Sequence, residues 1–416
     1  MQRITRRSKR IIRKRILISL FLIIFIRFGS FLPLPTVDQK AINFYIQTSS
    51  IPQTIIRTLC TNGPFLLNLF TLNIFPYINA TILVQFLISY YPSLSRLQKE
   101  GSLRSRRKIT RGTRLLTFLW AILQGSGISF YFYQISQAQN SRWDFLLSLK
   151  ISIWLTTGAM IVLWLSDLIT DYGLGNGTSL LVCTNIISNF PNIYSRLIHG
   201  EFKNLTSLSR LNFTLLFFLM IMLVIFLQSG ETKINITSAT QLNKSSSKYQ
   251  GKTEKFFYIP LRLNQSGVMP IIFTTTILTL PNNIIETFHF IPLEILYWII
   301  YFILLLQFSF FYSNISLNPK DISKQLQKMT SIIPGIRPGV CTTFYFANIL
   351  KRLNIIGTLI LFILSIFPKI IGLLFNVNDL TGLSAISFII VIGVLVESSI
   401  EISDIMSTNS YSSNDS

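Results

Sequence analysis

Charge is scarce in this chain, and acid is scarcer still. Of 416 residues only 13% are charged, and 16 Asp and Glu face 37 Lys and Arg. A typical soluble domain carries roughly 25% charged residues. Half of the sequence is hydrophobic, more than a soluble fold of this length can hide, so lipid is the expected solvent. Cysteine is equally thin. Cys60, Cys183 and Cys341 are scattered, odd in number and form no CxxC pair. That argues against a disulfide framework, a zinc site and a thiol redox motif. The two histidines, His199 and His289, lie far apart and read as loop or interfacial residues, so no metal site is expected.

Catalytic signatures are missing too. There is no GxxxxGK[ST], no HExxH and no GxSxG, so neither an NTPase nor a hydrolase is indicated. Asp167 and Asp171 have no matched base or nucleophile nearby in sequence. Gly173–Gly177 reads GxGxG, but no strand precedes it as a phosphate loop requires. It is read as a tight turn. The chain is not expected to be an enzyme or to carry a cofactor.

What the chain has is apolar runs. They fall at about 16–34, 74–92, 115–134, 146–166, 178–198, 211–228, 267–285, 292–313, 354–375 and 382–400. Each approaches the roughly 20 residues a helix needs to cross the hydrocarbon. The runs are continuous, not alternating, which favours helices over a barrel. The expected fold is an all-α polytopic membrane protein of about ten spans.

The net charge of +21 would suggest nucleic acid in a soluble protein, but its placement suggests topology. Met1–Arg15 holds eight Lys and Arg, Leu94–Arg114 another eight, including Arg106, Arg107 and Lys108, and the loops 230–264 and 316–352 six each. With ten spans these 28 of the 37 cations share one face. By the positive-inside rule that face, with both termini, is on the cytoplasm-equivalent side. The basic segment 1–15 passes straight into an apolar run long enough to span and without a small-residue cleavage site, which speaks against a signal or transit peptide. Residues 230–264, with little periodicity, and residues 316–352 each read as a solvated connector or a docking surface, and the Ser- and Asn-rich tail 403–416 as disordered.

The second half echoes the first. Asn73-Ile74-Phe75-Pro76-Tyr77-Ile78 and Gly267-Val268-Met269-Pro270-Ile271-Ile272 each place Pro at the start of a span with a bulky aliphatic two residues later. Proline-interrupted spans at matching places of two halves point to a transport path. Five spans per half make the halves, 16–200 and 201–402, inverted in topology. Gly63–Phe70 is apolar but too short to cross, which suits a re-entrant piece. Arg27 and Glu397 are the clearest ionisable residues inside spans, and such residues are functional candidates by default. Their scarcity argues against an ion relay, and the Ile, Val and Leu around them suit a hydrophobic seal.

An ordered set of motifs resembles the SecY family, the channel subunits of the Sec preprotein translocase. The set runs from Arg27-Phe28-Gly29-Ser30-Phe31-Leu32-Pro33-Leu34-Pro35 through Phe75–Ile78 with Gln85, Lys99-Glu100-Gly101 and Gly175-Asn176-Gly177. It continues with Ser266–Pro270, Asn318-Pro319 and Ile333-Pro334-Gly335-Ile336-Arg337-Pro338-Gly339. The resemblance implies two five-span halves around a central pore that conducts unfolded preproteins and releases apolar segments sideways into lipid. It implies a pore ring of Ile74, Ile78, Val182, Ile186, Ile272 and Leu395, and a plug at about 61–70 that includes Asn62, Gly63, Pro64, Phe65 and Leu66. It further implies a lateral gate involving Thr81, Gln85 and Thr275. Arg337 would meet a SecA-type ATPase motor or a ribosome, together with Arg106, Arg107 and Lys108. Other implied partners are a SecE-type small subunit and one of SecG type, preprotein substrates and membrane lipids, with no specific nucleic acid. The plastid-encoded members look similar, implying a thylakoid membrane with stromal termini, or else a bacterial inner membrane. The loop 230–264 is less basic than usual for the family, and Glu397 stands where it commonly has Asp. The rival reading, a small-solute transporter with inverted repeats, needs polar groups at the midplane, and the chain supplies few.

Overall fold

The computed structural model describes residues 6–34, 67–99, 102–137, 145–199, 207–238, 257–264, 267, 269–271, 273–275, 277–278, 291–375 and 385–412. Helices occupy all the expected apolar segments. They are α1 (Arg6–Ser30), α2 (Phe75–Tyr90), the short α3 (Pro92–Lys99), α4 (Leu103–Gln137), α5 (Phe145–Tyr172), α6 (Gly177–His199) and α7 (Ser207–Ser229). After two strands come α8 (Ile291–Ser316), α9 (Pro319–Lys328), α10 (Val340–Phe375) and α11 (Ala385–Ser412). Residues 269–271, 273–275 and 277–278 are helical as well, within the seventh expected span.

Among the described residues three helical stretches are long and apolar enough to cross a membrane outright: Phe145–Tyr172, Ile295–Lys328 and Val340–Phe367. Phe75–Tyr90, Gly177–Ser188 and Phe218–Ser229 are shorter apolar helices. Helix α5 shows why these segments need lipid. Ile151, Leu155, Ala159, Val162, Leu163 and Ile169 are buried at helical spacing. Its other faces expose Ile153, Trp154, Ile161 and Trp164. A helix apolar all round is at home only in a core or a bilayer. Two of its hydroxyls bond back to the helix, Ser152 donating to the Leu149 carbonyl at 2.9 Å and Thr156 to that of Ile153 at 2.8 Å.

The chain forms two compact units, Met1–Pro191 with Glu397–Ser416, and Asn192–Val396. In the first, Leu34, Leu67, Leu72, Ala121, Ile128, Phe132, Ile151, Leu155 and Ala159 make one core. Helices α4 and α5 are joined through it, and Ser129 donates to the Ser148 carbonyl across them at 2.6 Å.

The second unit holds what the periodicity did not announce. The stretch 230–264, read as having little periodicity, forms β1 (Glu231–Ser238) and β2 (Phe257–Arg262), paired antiparallel with Ile234 opposite Ile259. Strand β3 (Ser331–Ile332) pairs with the other edge of β1, giving the order β2-β1-β3. The two-residue alternation is there in Lys233-Ile234-Asn235-Ile236, but it is too short to stand out beside runs of twenty apolar residues. Ile234, Ile236 and Leu261 close a core with Leu326 of α9, Ile333, and Phe346, Leu350 and Leu353 of α10.

One further expectation is corrected. The tail was read as disordered from residue 403, yet α11 continues to Ser412. Ile402, Ile405 and Met406 extend an apolar stripe at helical spacing past the polar composition, and Ser403 bonds back to the Ile400 carbonyl at 2.6 Å.

Candidate constriction and docking surface

The chain leading into α2 is the most deeply packed coil among the described residues. Leu67, Asn68 and Thr71 are fully buried, and Phe70, Leu72, Asn73 and Ile74 nearly so. Thr71 Oγ1 donates to the Asn68 carbonyl at 2.6 Å and accepts from the Asn68 N–H at 2.8 Å, closing a tight turn. Non-helical backbone at membrane depth is tolerated where protein buries it. The 16 residues of α2 rise about 24 Å, short of the roughly 30 Å hydrocarbon.

Two neighbouring helices are notched to receive it. A Cβ at Gly158 of α5 would stand 1.9 Å from the Leu69 carbonyl oxygen, and one at Gly29 of α1 would stand 2.0 Å from the Phe70 ring. The Leu69 N–H donates to the Leu32 carbonyl at 3.2 Å, and Pro33 and Asn68 pair as an isolated antiparallel bridge. Of the expected plug, Leu67–Phe70 form part of this seated coil, whereas Asn62, Gly63, Pro64, Phe65 and Leu66 lie outside the described residues.

Helix α2 starts with Pro76 in its first turn, where its missing N–H costs nothing. Ile74 and Ile78 are buried one turn apart. Thr81 and Gln85 follow, both half-buried, and Thr81 donates to the Ile78 carbonyl at 2.7 Å.

Helix α6 begins at the Gly175-Asn176-Gly177 turn. Gly175 has φ +73°, a conformation open to glycine at little cost. Asn176 then caps the helix, its Oδ1 accepting from the Thr178 N–H at 3.3 Å and from the Thr178 hydroxyl at 2.9 Å. The expected turn is therefore observed. Val182 and Ile186 follow half-buried and one turn apart. Between them the Thr184 carbonyl accepts a hydrogen bond from the Arg27 guanidinium of α1.

In the second unit Ile272 lies outside the described residues, while Thr275 is half-buried and bonds back to the Ile271 carbonyl at 3.0 Å. Leu395 is 57% exposed, with Val391, Ile392 and Val394 buried beside it.

The Arg337 loop is built from two turns. The Ile336 N–H donates to the Ile333 carbonyl at 3.1 Å across Pro334 and Gly335, with Gly335 at φ +82°. Pro followed by Gly is the pairing a type II turn calls for. Gly339, at φ +111°, ends the loop. Its carbonyl accepts from Ser323 of α9 at 3.0 Å and from Thr342 at 2.7 Å. Arg337 is left exposed on a rigid base, as are Lys320, Lys324 and Lys328 on α9. In the first unit Arg106, Arg107 and Lys108 are exposed on α4, whose Arg114 pairs with Asp167 of α5 at 2.7 Å.

Sequence reading named Arg27 but not its partner, and missed the notches at Gly29 and Gly158. The available signal was glycine inside apolar spans, where a close approach is the usual reason for it.

These features define a polytopic, mainly helical membrane protein. The SecY family model matches residues 68–399, and the chain belongs to the SecY family. Similar curated proteins are the "Protein translocase subunit SecY" of Trieres chinensis, 42% identical over 95% of this chain and 96% of that one. That of Porphyra purpurea is 37% identical over 97% and 98%, and that of Synechocystis 34% identical over 96% and 93%. Among solved structures, "The structure of a protein conducting channel" matches with TM-score 0.64 at 14% identity over 97% of this chain and 94% of that one. "Sec61 in the Canine ribosome-channel complex from the endoplasmic reticulum" matches with TM-score 0.61 at 14% identity, over the same shares. The solved structures establish the fold, and the sequence relatives the family. The chain is accordingly a channel-forming translocase subunit, not an enzyme and not a small-solute transporter.

Proposed function

We propose that this subunit passes unfolded preproteins across the membrane through a constriction of Ile74, Ile78, Val182, Ile186, Ile272 and Leu395. Family membership carries the reading. The aliphatic pairs on α2 and α6, each one turn apart on a single helix face, support it. Such a ring seals by excluding water, since a hydrophobic constriction dewets. Asn62–Leu66, with the seated coil after them, act as the plug. Thr81, Gln85 and Thr275 flank a lateral gate for apolar segments. Thr81 and Thr275 have hydroxyls bonded to their own helices, which leaves methyl groups to meet a departing segment.

Arg337, Arg106, Arg107 and Lys108 form the docking face. A planar guanidinium held on a Pro- and Gly-braced loop suits bidentate contact with carboxylates or phosphates. The partners on this face are a SecA-type motor, a ribosome or both, with SecE-type and SecG-type subunits within the membrane. The halves divide near residue 200. The site of action is a plastid thylakoid membrane with both termini stromal, which the similarity to algal and cyanobacterial relatives supports.

Crosslinking of a stalled, signal-bearing nascent chain to cysteines placed at Ile78 and Ile272 tests the path. Adducts are expected at both, and their absence at either position removes the ring. Ile78→Asn is expected to raise ion leak through reconstituted vesicles.

A further inference from the structure

Helix α1 contributes no residue to the ring, yet its last turn and the residues just after it touch α6 and the coil that leads into α2. We infer that the segment Arg27 to Leu32 is the positioning element of that half of the constriction: it fixes α6 through the Thr184 carbonyl, and fixes the start of α2 through Leu69 and Phe70. The inference rests on the ring reading above.

Three contacts of that segment, and one of the residue that follows it, carry it. The Arg27 guanidinium donates to the Thr184 carbonyl, which lies midway between Val182 and Ile186. Two residues on, Gly29 is buried, and its missing side chain is the space the Phe70 ring fills. Three further on, the Leu32 carbonyl accepts from the Leu69 N–H at 3.2 Å, and Pro33 bridges Asn68. Phe70 stands four residues before Ile74, so displacement of the ring moves the base of α2. A third helix, α5, presses the same coil from another direction through Gly158.

The chemistry suits positioning. Thr184 lies in a helix, where its carbonyl already serves the helix ladder. A second, charged donor at that oxygen ties the backbone itself, independently of the Thr184 side chain. An ionised guanidinium inside a span is expensive, and five donors in a fixed plane give it direction. A hydrogen bond to a charged group inside a protein is among the stronger kinds. Lys in its place would keep the charge but lose the planar fork. The same six residues therefore set the rotation of α6 and the depth of α2 together, which two unconnected contacts could not do.

The test uses the full chain assembled with its partner subunits in vesicles. Spin labels are placed at Leu83→Cys on α2 and Ile187→Cys on α6, both exposed positions, in a background freed of native cysteines. Unaltered α1 should give one narrow distance. Arg27→Met and Gly29→Ala should each shift or broaden it, and Arg27→Lys should recover part of the narrowing. Phe21→Ala, on the exposed face of α1, should leave it unchanged. Ion leak should rise about tenfold in Arg27→Met, as expected for loss of one charge-assisted hydrogen bond from the closed state. An unchanged distance in both Arg27→Met and Gly29→Ala overturns the inference. A changed distance with unchanged leak upholds the positioning role and removes the ring reading instead. If Arg27→Met fails to insert, Gly29→Ala and Arg27→Lys still decide.

Discussion

A methyl group at position 158 has nowhere to go. Its nearest neighbour would be the Leu69 carbonyl oxygen at 1.9 Å, and that atom belongs to backbone held by the Asn68–Thr71 turn. Gly158→Ala should therefore cost about 1–3 kcal/mol, the usual range for overpacking a filled core. A lower thermal midpoint of the purified protein would show it. Gly127, where an added Cβ meets nothing within 4 Å, should tolerate Ala with no loss. Nothing in the sequence distinguishes these two glycines. Each sits in an apolar helix, and the difference lies in what packs opposite. Arg27 was readable as unusual because charge in lipid is costly. Its acceptor is a main-chain atom, which carries no sequence signature at all.

At the scale of elements, hydropathy locates helices well and small sheets poorly. The apolar runs predict both ends of α8 and the start of α5 to within about three residues, while α5 runs on past the expected end at 166 to Tyr172; the thickness of the bilayer sets the length of a span. The hairpin β1–β2 has no such yardstick. Its cross-strand partners lie in a stretch dominated by Lys, Asn and Ser, and β3 comes from a different connector altogether. The sheet is stable because α9 and α10 cover one face. Phe346, fully buried there, should be decisive: Phe346→Ala is expected to cost about 3–5 kcal/mol. The loss should appear as faster proteolysis of the 230–264 and 316–352 connectors. Arg337→Glu should behave in the opposite way. It leaves proteolysis unchanged and weakens capture of an acidic partner, with a deficit that shrinks as salt rises.

For the whole molecule, the count of positive charges proposes a topology, because translocation is biased against Lys and Arg however the helices pack. Cysteine chemistry gives an independent check. Cys341 is exposed beside the Arg337 loop, whereas Cys183 is buried in α6. In a Cys60→Ser background, a membrane-impermeant maleimide should label Cys341 from the side that bears the N-terminus and leave Cys183 untouched until denaturation. Labelling of Cys341 only from the opposite side would invert the assignment. The proposed constriction is the part least open to sequence alone. Aliphatic residues one turn apart are common in any span, so Ile78 and Val182 stand out only beside motifs such as Gly175-Asn176-Gly177 that fix where each helix begins.

The small sheet also has a mechanical meaning. Extended strands joined edge to edge resist shear far better than loops do. A load placed on the Arg337 loop reaches β3 within five residues and crosses to β1 through the Thr237–Ile332 pair. It then passes to β2 along six paired residues. Strand β2 is anchored just beyond its end, where Leu263 donates to the Gly230 carbonyl at 2.9 Å and lies against Gly357 of α10. From Arg262 only a few residues lead to the helical stretch that carries Thr275. On the proposed docking and gate assignments, a push at the Arg337 loop would pass along a stiff sheet to the strand that precedes Thr275 in sequence, where a slack connector would dissipate it.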